Sequence, residues 1–159
     1  MASAVPANFS GVIGVDQIKD YLKQVGRLDI QIKNKLIEQQ QWRDIALGIT
    51  ANMEGERVQS SGAKSKMANA VERCVDMETE INSLIDKLID TKKEVIQTIE
   101  RLDSATEYNV LHLLYIQGKD LQEVADHYGK EYGWATTVHG RALKNVQSLL
   151  ERNRNEEAT

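Results

Sequence analysis

A chain of 159 residues carrying a net charge of -4 is long enough for one domain, or one small domain with a helical extension, and too acidic for a general polyanion binder. Aromatic residues at 5% and a single Pro, at position 6, disfavour a sheet sandwich and predict a nearly all-α protein. One cysteine, Cys74, and three scattered histidines exclude an internal disulfide framework and give no zinc-ligand spacing, while no apolar run nears the roughly 18–20 residues that cross a bilayer.

Residues 1–15 hold Ala, Ser, Gly and the lone Pro without helical periodicity, which predicts a disordered N-terminal tail. Gly11-Val-Ile-Gly14 lacks the lysine, the further glycine and the preceding strand of a phosphate loop. No basic segment followed by a hydrophobic one opens the chain, so the expectation is a soluble, cytoplasmic protein.

From Asp16 to about Leu47, Ile18, Leu22, Val25, Leu28, Ile32, Leu36, Trp42 and Ile45 recur at spacings near three and four, with Gln39 filling the gap before Trp42. This stripe predicts one long amphipathic helix, which Gly26 weakens by about 1 kcal/mol without ending it. Residues 48–65, with Gly48, Gly55 and Gly62 among Ser and Asn, read as a loop. Its cations Arg57 and Lys64, with Lys66 just beyond, are candidates for a secondary contact to phosphate or a partner, although a solvated linker has the same composition.

Lys66 to Leu102 carries a heptad seam: Met67, Cys74, Ile81, Leu88, Val95 and Leu102 lie seven apart, and Val71, Ile85 and Ile99 lie four after Met67, Ile81 and Val95. Glu78 and Lys92 fall on the seam, either setting register or lying at a solvated edge of a wider stripe. Two such helices cannot bury their stripes alone, so residues 16–103 are expected to form an antiparallel helical hairpin or coiled coil that also makes a homo-oligomer. Cys74, on the seam, acts there as a small apolar residue.

Ser104-Ala-Thr-Glu107 is a capping-box pattern that opens a new helix, with Val110, Leu111, Leu114 and Tyr115 as its buried face and Gly118 as its stop. Asp120-Leu-Gln-Glu123 opens another, burying Leu121, Val124 and Ala125 and stopping at Gly129. A third helix starts within residues 131–134 and runs to about Leu150 with Ala135, Val138, Ala142, Leu143, Val146 and Leu150 inward. Residues 104–152 thus read as a three-helix helix-turn-helix domain and 153–159 as a flexible tail. Tyr132, Gly133, Thr136, Thr137, Gly140, Arg141 and Lys144 are left on the outer face, where hydroxyls, a phenol and two cations can meet base edges and phosphates. A merely solvated helix face has a similar composition.

Leu121-Gln-Glu-Val-Ala125, Gly129 and Val138-His-Gly-Arg-Ala-Leu143 resemble the helix-turn-helix of sigma factor region four. With Tyr-Leu-Lys-Gln-Val-Gly-Arg-Leu-Asp (Tyr21 to Asp29) and Arg57-Val-Gln-Ser-Ser-Gly62, the chain is similar over residues 18–148 to the sigma-like late transcription regulators of Gram-positive phages and prophages, the ArpU and RinA type. The resemblance implies a transcriptional regulator, an activator of late genes, that binds double-stranded promoter DNA with host RNA polymerase. It implies base contacts from Tyr132, Gly133, Thr136 and Thr137 and phosphate contacts from Arg141 and Lys144, with Trp134 among the DNA-binding residues. Sigma factors carry several arginines where this chain has Tyr, Gly and Thr, and Glu131 stands where a Ser or Thr N-cap is expected.

No nucleophile and base are paired in a catalytic pattern, so no enzyme activity, cofactor, metal or small-molecule substrate is expected. Two other readings share these features: a DNA-packaging component like a terminase small subunit, and a helical adaptor that binds a protein partner.

Overall fold

The computed structural model describes residue 9 and residues 11–48 and 61–159. The architecture is all-α, with no strand among the described residues. In chain order it has α1 (Val15–Ala46), α2 (Ser61–Ile99), α3 (Ala105–Leu111) continued by a π-helical turn (His112–Ile116), α4 (Leu121–His127) and α5 (Tyr132–Glu157). None of the helices described is long and apolar enough to cross a membrane. The sequence-predicted loop 48–65 is shorter at its far end, because α2 begins at Ser61, and Arg57 lies outside the described residues.

Contacts divide the chain into two compact units, residues 28–88 and the remainder. In the first unit the two long helices run antiparallel, since Lys35 pairs with Glu80 at 2.6 Å while Gln39, further along α1, donates to the Cys74 carbonyl, earlier on α2, at 3.2 Å. Arg73 bridges Glu80 at 2.9 Å and Glu38 at 3.5 Å. These partly exposed ion pairs fix register more than they stabilise.

The face that α2 turns to α1 keeps Cys74 and Ile81 of the predicted seam but not their expected companions. Ala70, Met77 and Ile81 are buried, with Cys74 and Leu84 half-buried between and after them, whereas Met67, Val71 and Ile85 are exposed. The companions of Cys74 and Ile81 therefore lie three residues after them rather than four. A helix with apolar residues on both sides of Cys74 can dock through either flank, and the large Met77 supplies more area than Val71 on the flank that wins. On α1, Leu36 and Ile45 are likewise exposed, and Lys35 and Gln39 occupy the inward row.

The second unit contains the start of α1, the end of α2 and everything after it. Ile18, Tyr21, Leu22 and Val25 are buried there together with Val95, Thr98 and Ile99, and the hydroxyls of Tyr21 and Thr98 hydrogen-bond at 3.1 Å. Residues 11–14 depart from the expected disordered tail: Ile13 is fully buried, its carbonyl accepts from Gln147, and the Gly11 carbonyl accepts from Arg154. Phe9 stacks edge-on against Tyr21 with ring centroids 5.4 Å apart. The same contacts explain why 153–159 is not a free tail, as α5 continues to Glu157 and Asn153 is buried.

Candidate nucleic-acid interface

α4 starts where its side chains make it start. Asp120 accepts from the Glu123 amide at 2.8 Å and Glu123 returns the bond to the Asp120 amide at 2.8 Å, a complete capping box. The helix closes with a Schellman turn, in which Lys130 N–H reaches the Ala125 carbonyl at 2.9 Å and Gly129 N–H the Asp126 carbonyl at 3.1 Å. That turn needs the left-handed backbone of Gly129, φ +61°. Three residues later α5 begins, with extended Glu131 at its N-cap making no side-chain capping bond.

The angle between α4 and α5 is set by a small core of Val110, Leu113, Val124, Ala125, Ala135 and Val138. Ala125 and Ala135 let backbones approach where larger side chains would hold them apart. The predicted inward residues Ala142, Leu143, Val146 and Leu150 are buried as well. Tyr132, Gly133, Thr136, Thr137, Arg141 and Lys144 all remain exposed, at spacings that place them on one side of α5 over about 18 Å of helix. A helix of this width fits a major groove about 12 Å across.

Trp134 differs from the exposed residues around it on α5. Its ring is half-buried against that core, 4.9 Å between centroids from Tyr128, and is not held out with its neighbours. It lies one residue from buried Ala135, on the inward edge of the helix, where an indole gains more from packing than from water. Tyr128 is fixed in turn by Asn109, whose Nδ2 donates to its hydroxyl at 2.7 Å.

The two threonines bond back to their own helix, Thr136 to the Tyr132 carbonyl at 3.1 Å and Thr137 to the Gly133 carbonyl at 2.9 Å. Each hydroxyl proton is thereby occupied, so the groups present outward are acceptor lone pairs and methyls. Arg141 is held rather than free. Its Nε donates at 2.7 Å to Oε1 of Glu107, a side chain 5% exposed, and Asn145 Nδ2 donates at 2.7 Å to the other oxygen. With the Arg141 side chain 59% exposed, the clamp takes Nε and leaves its two amino groups for another acceptor.

No family model, curated protein or solved structure matches the chain.

Glu107 and Asn145 are contributions that sequence reading missed. Ser104 does accept from the Glu107 amide at 3.3 Å, yet the Glu107 carboxylate turns to Arg141 and Asn145 instead of back to its own N-cap, so only half of the expected capping box forms. A signal was available. Glu107 precedes the inward residues Val110 and Leu111 by three and four positions, which puts a carboxylate on a buried stripe and demands a cation to meet it.

His139 is also engaged, its Nε2 lying 2.7 Å from the Tyr115 hydroxyl, and Tyr115 belongs to the π-helical turn. Burial lowers the His139 pKa from its ordinary value, and the charges of Lys19 and Lys23 lower it further. Burial raises that of Tyr115 to about 12, so the phenol keeps its proton. Lys64 and Lys66 are exposed on α2 in the unit of residues 28–88, whereas α5 belongs to the other unit.

Proposed function

We propose that this protein is a sequence-specific DNA-binding transcriptional regulator of the sigma-like phage type, an activator of late genes working with host RNA polymerase in the bacterial cytoplasm. The observation that carries the reading is the exposed row of Tyr132, Gly133, Thr136, Thr137, Arg141 and Lys144 on a helix that follows a capped helix and a tight turn. Acceptor oxygens and methyls from the threonines suit base edges, including the thymine methyl, and the outward amino groups of Arg141 and the Lys144 ammonium suit phosphates.

With a net charge of -4, one copy has little non-specific attraction to DNA. Pairing through the long helices would join two weak contacts into a stronger one, because the second contact becomes intramolecular. A footprint of the purified protein on the phage genome that encodes it, with and without polymerase, tests the reading. Thr136→Ala/Thr137→Ala is expected to abolish the footprint while thermal unfolding stays unchanged. A footprint retained by that variant overturns base reading by α5.

A further inference from the structure

α2 carries a second heptad row, on the flank roughly a quarter turn round from the residues that meet α1. Ala68, Val71, Val75, Glu78, Asn82, Ile85, Ile89 and Lys92 follow one another at alternating spacings of three and four along this one continuous helix, and all are exposed. Val75 and Ile89 are each 59% exposed, too much apolar surface in one line for a face meant for water.

The row is self-complementary about Glu80. Reversing α2 end for end places Val71 opposite Ile89, Val75 opposite Ile85, Glu78 opposite Asn82 and Ala68 opposite Lys92, each pair being equidistant from residue 80. Apolar residues meet apolar ones, the Asn82 amide can donate to the Glu78 carboxylate, and the Lys92 stem lies over a small Ala68. A parallel pairing would set Glu78 against Glu78 and Lys92 against Lys92, two like-charge layers that the reversed pairing avoids. Self-complementarity under a two-fold is the requirement of an isologous dimer and not of docking to an unrelated protein.

We infer that α2 packs antiparallel against α2 of a second copy, through Val71, Val75, Ile85 and Ile89, with Glu78 and Asn82 fixing the register. The seam spans about 36 Å of helix. Outside it, Glu72 lies near Asp86 of the second copy, a like-charge contact that water and salt screen. The inference deepens the reading that the chain works as a pair, and does not depend on DNA binding.

Sedimentation of the full chain is expected to give a dimer at tens of micromolar. Ile85→Glu, at an exposed position, is expected to keep the helical circular dichroism and to raise the dimer dissociation constant by about 30-fold or more. Orientation is read in a Cys74→Ser background by oxidising Val75→Cys and Ile85→Cys chains separately and mixed. Antiparallel packing sets two copies of position 75 about 15 Å apart, beyond disulfide reach, so a covalent dimer should form only in the mixture. A monomeric wild type assigns the face to a different protein and overturns the inference, as does a Val75→Cys chain that links to itself or an Ile85→Glu chain that stays a dimer. A dimer without a footprint would overturn the DNA-binding reading alone.

Discussion

Arg141 on α5 donates through Nε, at 2.7 Å, to the carboxylate of Glu107, which lies 34 residues earlier on α3 and is almost wholly buried. The pair ties the outer helix to the first helix of its domain, and Asn145 completes the carboxylate's shell at 2.7 Å. Glu107→Ala is expected to lower stability by about 2 kcal/mol, since two hydrogen bonds to a charged acceptor are lost while both donors can turn to water. Arg141→Ala should cost a similar amount, because it leaves a buried carboxylate short of its cation. Urea denaturation of both variants checks this. A loss of DNA binding in Arg141→Ala has to be read after that stability change is known.

The His139 imidazole titrates below its ordinary range, through burial first and the Lys19 and Lys23 charges second. The folded value therefore lies below the unfolded one of about 6.5. As pH falls through about 6.5 the unfolded chain gains a proton that the folded chain refuses, so stability drops until the folded value is reached. Glu80, lowered by its bonds to Lys35 and Arg73, contributes a separate loss only as pH falls below its ordinary carboxylate range. Denaturation midpoints followed against pH should show His139→Gln flattening the first fall and leaving the second.

Two glycines should respond in opposite ways to alanine. Gly129 sits at φ +61° with open space around its missing Cβ, so Gly129→Ala is expected to cost about 1 kcal/mol from backbone strain alone. Gly140 lies within α5 with nothing near its missing Cβ, and Gly140→Ala should stabilise by about 0.5–1 kcal/mol. Thermal melts of the two variants decide the signs.

Trp134 packs against Tyr128 and the core beneath α5. Trp134→Ala is expected to cost about 2–3 kcal/mol, less than a fully buried indole because the ring is half-exposed. Trp134→Phe keeps an aromatic against Tyr128 and should bind DNA as the natural chain does. A binding loss in a stably folded Trp134→Phe would return the indole to the interface.

The helices, and both ends of α4, were legible in the sequence, whereas α2 starts earlier and α5 ends later than their apolar spacing indicates. Asp120, Glu123 and Gly129 specify the limits of α4 through bonds to residues within five positions, and the inward face of α5 follows from apolar spacing alone. These are local effects, fixed by backbone geometry and side chains of the same segment. Tertiary structure decided what touches what over distance. Val71 and Met77 lie on the two flanks of Cys74, and only the docking of α1 chose Met77; Glu107 fits a capping box by spacing, and only the arrival of α5 gave its carboxylate the stronger partner in Arg141. Ile13 and Trp134 were drawn inward for the same reason, because burial against a remote element outweighs a local preference that a short segment expresses alone.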